Sequence, residues 1–124
     1  MIVLDTTVLV DLLRGNPDAL AYLRSLDEIP GCSEVTRVEV MRGVRHRERD
    51  VTERLMRSMR WIPLDEQIAR RAGALGRTWR RSHRLATPDL IIAATARELA
   101  AGLATSNAKQ FPMFDGLKPP YGPR

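Results

Sequence analysis

Ile2-Val3-Leu4-Asp5-Thr6-Thr7 is the stretch that decides the fold. Three apolar residues, two of them β-branched, stop at an acid and two threonines, which reads as a short buried strand delivering a carboxylate to a polar turn. Beyond it Val8, Leu9, Leu12 and Leu13 recur at helical spacing as far as Gly15. Asn16-Pro17-Asp18 then supplies a cap and a first-turn proline for a second helix carrying Leu20, Leu23 and Leu26. A strand followed by helices, with no Asn-Gly hairpin signal, requires a crossover to a parallel neighbour.

The alternation continues along the chain. Ile29 to Ser33 reads as a second strand, and Thr36-Arg37-Val38-Glu39 has the T-x-x-E capping-box pattern of a helix that runs to about Val44. From Arg47 to Arg60 an exposed helix is expected, with Val51, Leu55 and Met59 as its apolar stripe. Trp61-Ile62-Pro63-Leu64 is the third strand, and Asp65 caps a helix whose inward stripe is Ile68, Ala72, Leu75 and Trp79, with Arg70, Arg77, Arg81 and Arg84 on its other side. Thr87 as N-cap and Pro88 at the first helical position open the last helix, which reaches about Ala101 before Gly102 stops it. Leu103-Ala104-Thr105 makes the fourth strand, ending at Ser106-Asn107. The expected fold class is α/β: a Rossmann-like three-layer sandwich with a mainly parallel central sheet and helices on both faces. Leu9, Leu12, Leu13, Leu20, Trp61 and Trp79 are assigned to its core, and the Pro- and Gly-rich tail after Gly116 is expected to be loosely ordered.

Composition narrows the function classes. The 124 residues suit a single domain spanning 1–124, and 44% hydrophobic with 28% charged residues excludes a disordered chain. The formal net charge is +5, and 18 of the 20 basic residues are arginine, whose planar fork suits phosphate, so the partner list tilts towards nucleic acid. The lone cysteine, Cys32, rules out an internal disulfide and a Cys-based zinc site, and is expected as a buried strand residue. No basic leader precedes a long apolar stretch, and the most apolar later run, Leu90 to Ala96, is far short of the ~20 residues that span a bilayer. A soluble cytoplasmic protein is expected. His46 and His83 lack partners at metal-ligand spacing and are read as surface residues.

In a parallel α/β sheet the carboxyl ends of strands and the amino ends of the following helices share one edge, where ligands bind. Asp5, Glu39, Asp89 and Asn107 all map to that edge. Helical counting turns Glu39 inward, away from Arg37 and Arg45, and places Asp89 on a stripe with Ala93, Ala96 and Ala100, small residues that allow close approach to the sheet. Three gathered carboxylates repel unless a cation neutralises them, and Mg²⁺ or Mn²⁺ prefers carboxylate oxygen and leaves room for a substrate phosphate. Phosphodiester hydrolysis is the chemistry that follows. Taken singly, Asp5 as an Asx turn, Glu39 as a capping-box partner and Asp89 as a helix-dipole residue are adequate explanations. Together they leave the shared edge unexplained. A haloacid-dehalogenase-like phosphatase needs a second Asp two positions after the first, where this chain has Thr7, and a receiver-type phospho-switch is poorly served by Asp5 on the first strand with Lys109.

Ile2-Val3-Leu4-Asp5-Thr6-Thr7 with Leu12, Ser33-Glu34-Val35-Thr36-Arg37-Val38-Glu39 with Gly43, Pro88-Asp89-Leu90-Ile91-Ile92-Ala93-Ala94-Thr95-Ala96, and Leu103-Ala104-Thr105-Ser106-Asn107 together resemble, in order and over nearly the whole chain, the PIN-domain ribonucleases of the VapC type. The resemblance implies the PIN-like version of the expected sandwich and Mg²⁺- or Mn²⁺-dependent endoribonuclease action. Asp5, Glu39 and Asp89 would carry the metal, with Thr6 and Asn107 assisting. It further implies a homodimer, inhibition by a VapB-like antitoxin received near Leu9 to Leu20, and operator DNA reached only through that antitoxin. One position departs from the pattern: Gln110 stands before Phe111 where many relatives have an acid, leaving Asn107 and Asp115 as the nearby polar groups. That departure keeps a second reading open, a PIN-like module that binds RNA or a partner without cutting. The arginines from Arg77 to Arg84 are either an RNA-backbone contact or, more commonly for such a run, a solvated face.

Overall fold

Val3 and Leu4 are adjacent in the chain yet belong to different cores, because successive strand residues face opposite sides of a sheet. In the computed structural model, which describes residues 1–122, both are fully buried. Val3 packs with Ile92, Ala93, Ala96, Leu103 and Phe111. Leu4 packs with Val8, Leu9, Leu12, Cys32, Met56 and Ala104 on the other side. Leu103 and Ala104 split in the same way, which is the pattern of a sheet covered on both faces.

The sheet has four strands, β1 (Ile2–Leu4), β2 (Gly31–Ser33), β3 (Arg60–Ile62) and β4 (Gly102–Ala104), in the order β3-β2-β1-β4. Every pairing is parallel. The crossovers are helical: α1 (Thr6–Leu13) and α2 (Pro17–Ser25) after β1, α3 (Glu34–Gly43) and α4 (Arg49–Arg57) after β2, α5 (Glu66–Trp79) and α6 (Thr87–Glu98) after β3. The α/β sandwich and the buried Cys32 are as the sequence predicts. Among the described residues no helix is long and apolar enough to cross a membrane.

Local differences have local causes. Helix α3 begins at Glu34, not at Thr36, because the Ser33 hydroxyl accepts from the Val35 N–H and caps it three residues earlier. Helix α6 begins at Thr87 with Ala86 as its cap residue, so Thr87 is the first helical residue and not the cap. It closes at Glu98, where Ala100 turns to φ +50° in place of a glycine, so Ala100 is exposed and not on the buried stripe. Helix α5 ends at Trp79, whose carbonyl accepts from the N–H groups of Ser82 and His83, which leaves Arg81 and Arg84 on a loop beyond the helix. The segment from Arg47 is not one helix: a 3-10 turn at His46–Glu48 precedes α4.

Both tryptophans are half-buried, not core. Trp61 donates its indole N–H to the Met56 carbonyl and receives the Arg37 guanidinium 4.2 Å above its ring, while Trp79 meets His83 edge-on. Of the tail after Gly116, whose last two residues lie outside the described residues, Tyr121 returns to α1, where its hydroxyl donates to Asp11 Oδ2 at 2.7 Å beside the Tyr22 ring.

Candidate active site

Asp5 follows β1 and is almost completely buried. Its Oδ1 accepts the Thr6 N–H at 2.8 Å, and its Oδ2 accepts the hydroxyls of Thr7 at 2.8 Å and Thr105 at 2.7 Å. Thr105 arrives there because Leu4 and Ala104 are in register, which sets the next residue of each strand side by side. The two hydroxyls are themselves held, Thr7 by the Ser106 N–H and Thr105 by the Asn107 N–H. The carboxylate is therefore fixed by β1, α1 and the end of β4 together.

The early start of α3 changes the role of Glu39. With Ser33 as the cap, Glu39 lies in the middle of the helix and has no backbone N–H to serve, so the capping-box explanation fails. Its Oε1 instead accepts the Thr6 hydroxyl at 2.7 Å, and that hydroxyl lies 3.0 Å from the hydroxyl of buried Thr36. Thr6 thus ties the strand β1 turn to α3.

Asp89 enters from the first turn of α6. Burial, then the negative charges of Asp5 and Glu39, push its carboxyl up to about 6. The part of that shift due to Asp5 and Glu39 accords with the geometry, in which the three acids face a common space. A cavity of about 360 Å³ is lined by all three together with Thr6, Thr7, Asp11, Arg14, Ser106 and Asn107. Sequence reasoning missed Thr7, Asp11, Arg14, Thr36 and Thr105. Thr105 was signalled by two strands that both end in a polar run, and Asp11 by its position one helical turn beyond Thr7.

Two residues considered near the site stand away from its walls. Gln110 lies in a 3-10 turn, Ala108–Gln110, and Asp115 borders a different cavity beside Arg97 and Phe114. Among the described residues, no three His, Cys, Asp or Glu side chains stand close enough to form a ready-made metal site. The donor set nevertheless has the chemistry of a hard cation's site, all carboxylate and hydroxyl oxygen with no imidazole or thiolate, and Mg²⁺ needs only one or two protein carboxylates beside water and substrate.

Comparison with known proteins agrees with this architecture. The PIN domain family matches residues 2–116. Ribonuclease VapC19 of Mycobacterium tuberculosis is 43% identical over 126 residues, covering 98% of this chain and 100% of that protein. Ribonuclease VapC10 of the same organism is 44% identical over 98% of this chain and 93% of its own length. A chain of a toxin-antitoxin complex from Klebsiella pneumoniae superposes with a TM-score of 0.86 at 30% identity, covering 98% of each chain. A parallel sheet that gathers Asp5, Glu39 and Asp89 at one edge, matched over nearly its full length by such relatives, places this chain in the PIN-domain family alongside the VapC ribonucleases.

Proposed function

We propose that the chain is a Mg²⁺- or Mn²⁺-dependent endoribonuclease, the toxin of a toxin–antitoxin pair, acting in the cytoplasm and neutralised by a VapB-like antitoxin. The observation that carries the reading is the shared cavity lined by Asp5, Glu39 and Asp89. The relatives at 43 and 44% identity are ribonucleases, and a toxin-antitoxin complex is the setting of the structural neighbour. RNA, the antitoxin, through it operator DNA, and a second copy of the chain are the partners this reading implies.

Asp5, Glu39 and Asp89 would hold the ion, with Thr6 and Asn107 as assisting groups. A bound divalent ion would polarise a phosphoryl oxygen and lower the pKa of a coordinated water. The residues of the chain supply orientation. Thr7 and Thr105 lock Asp5, Thr6 aims Glu39, and Asn107 on the exposed rim presents an amide to a phosphate or ribose without adding charge. The second reading, RNA binding without cleavage, is favoured by Gln110, which stands where many relatives have an acid and lies in a 3-10 turn away from the cavity wall.

Cleavage of transfer and ribosomal RNA with Mn²⁺, with and without chelator, decides between them. Asp5→Asn is expected to lower the rate by at least ~100-fold, in line with the loss of a group acting on developing charge, while the circular dichroism spectrum stays unchanged. Chelator-resistant cleavage, or a fully active Asp5→Asn protein, rejects the metal-dependent mechanism.

A further inference from the structure

Among the described residues, the wall of the acidic cavity holds a single base. Asp5, Asp11, Glu39 and Asp89 line it as acids, and Arg14 is the one cation among its described lining residues. Arg14 is the C-cap residue of α1 and is exposed. It forms no ion pair with any of the four acids; among the described residues only Arg37, Arg70 and Arg71 are held by a carboxylate, on Glu34, Glu66 and Glu98 respectively, so what sets Arg14 apart is its place on this wall. A guanidinium on the wall of an acid-lined cavity that pairs with none of its acids keeps its donors for another anion. Arg14 also borders a second cavity of about 710 Å³ that shares Val10 and Glu39 with the first, so it stands where an extended ligand would pass from one to the other.

A cation at a helix C-terminus is stabilised by the helix dipole, which accounts for a basic residue at position 14. It does not account for its place on the wall of this cavity. A phosphodiester approaching four acids is repelled, and a fixed positive charge at the rim offsets that repulsion where the chain enters. We propose that Arg14 grips an RNA phosphate flanking the one that is cut, and so registers the strand in the acidic cavity. The proposal rests on the ribonuclease reading and adds to it a substrate-positioning residue.

The test uses a fluorescein-labelled, mixed-sequence 12-nucleotide RNA titrated into the Asp5→Asn protein, which holds RNA without consuming it, at several KCl concentrations. Adding Arg14→Ala is expected to weaken binding by about tenfold at low salt and to flatten the log–log salt dependence by about 0.7, the value for one phosphate contact on a single strand. Arg14→Lys should restore most of the salt slope but not the full affinity, because a point charge lacks the fork. Affinity and slope both unchanged in Arg14→Ala overturn the assignment and leave Arg14 to a protein partner in the larger cavity. The ribonuclease reading then still stands, provided that the unsubstituted chain cuts RNA. If the chain neither binds nor cuts RNA, both readings fall.

Discussion

Asp89 registers its neighbours more directly than any other side chain. Its carboxyl titrates near 6 because it is half-buried and because Asp5 and Glu39 face it, well above the 3.8 of an ordinary aspartate. In the cation-free protein the folded state therefore keeps a proton that the unfolded chain has already released between those two values. Stability from this group is complete below about pH 4 and declines as pH rises through about 6. Asp89→Asn should remove that decline, raising the stability of the cation-free protein at pH 7.5 by on the order of 1 kcal/mol after allowance for partial solvent screening, with little effect at pH 4. Urea midpoints at the two pH values read this out. A midpoint for Asp89→Asn below the parent's at pH 7.5 contradicts the account. Mn²⁺ should then stabilise the parent and leave the variant nearly unmoved, since a ligand bound only by the native state adds stability by mass action.

At the scale of elements, α6 shows what sequence reveals and what it hides. Its alanine stripe was legible: Ala93 and Ala96 are fully buried against Val3, Leu103 and Phe111, which lets the first turn carry Asp89 close to the sheet. Ala96→Leu should overpack this contact and cost about 1–3 kcal/mol, read as a lower melting temperature. A neutral result means the helix sits farther from the sheet than the burial indicates. The start of α6 lies one residue from where its sequence points, because Ala86 serves as cap residue without a side-chain bond and leaves no mark in the sequence. The start of α3 is ambiguous in sequence because two adequate caps lie three residues apart, Ser33 and Thr36, and only the buried end of β2 selects Ser33. That choice matters for the site, since it releases Glu39 from the backbone to meet Thr6.

Over the whole molecule, Asp5 and Asp89 were readable because one follows a strand and the other opens a helix, and a parallel sheet brings those ends together whatever their distance in sequence, whereas Glu39 sits in the middle of α3 and reaches the cavity beside Thr6. Thr105 and Tyr121 were not readable, since their partners are set by strand register and by the path of the chain after Gly116. Tyr121 closes a contact 110 residues long: its hydroxyl donates to Asp11, and Asp11 also lines the acidic cavity, so the segment at Tyr121 is tied to a wall of the site. Burial, then the hydrogen bond to Asp11 and its charge, hold the phenol above its usual range, which keeps it the donor at all working pH values. Tyr121→Phe keeps the ring against Tyr22 and removes only the hydroxyl, so the loss should be that of one charge-assisted hydrogen bond, about 1.5–3 kcal/mol. A double-mutant cycle with Asp11→Ala should return a coupling energy of at least ~1 kcal/mol in urea unfolding. Additive single losses would mean that the tail packs on α1 and α2 through its ring alone and leaves Asp11 free to turn into the cavity.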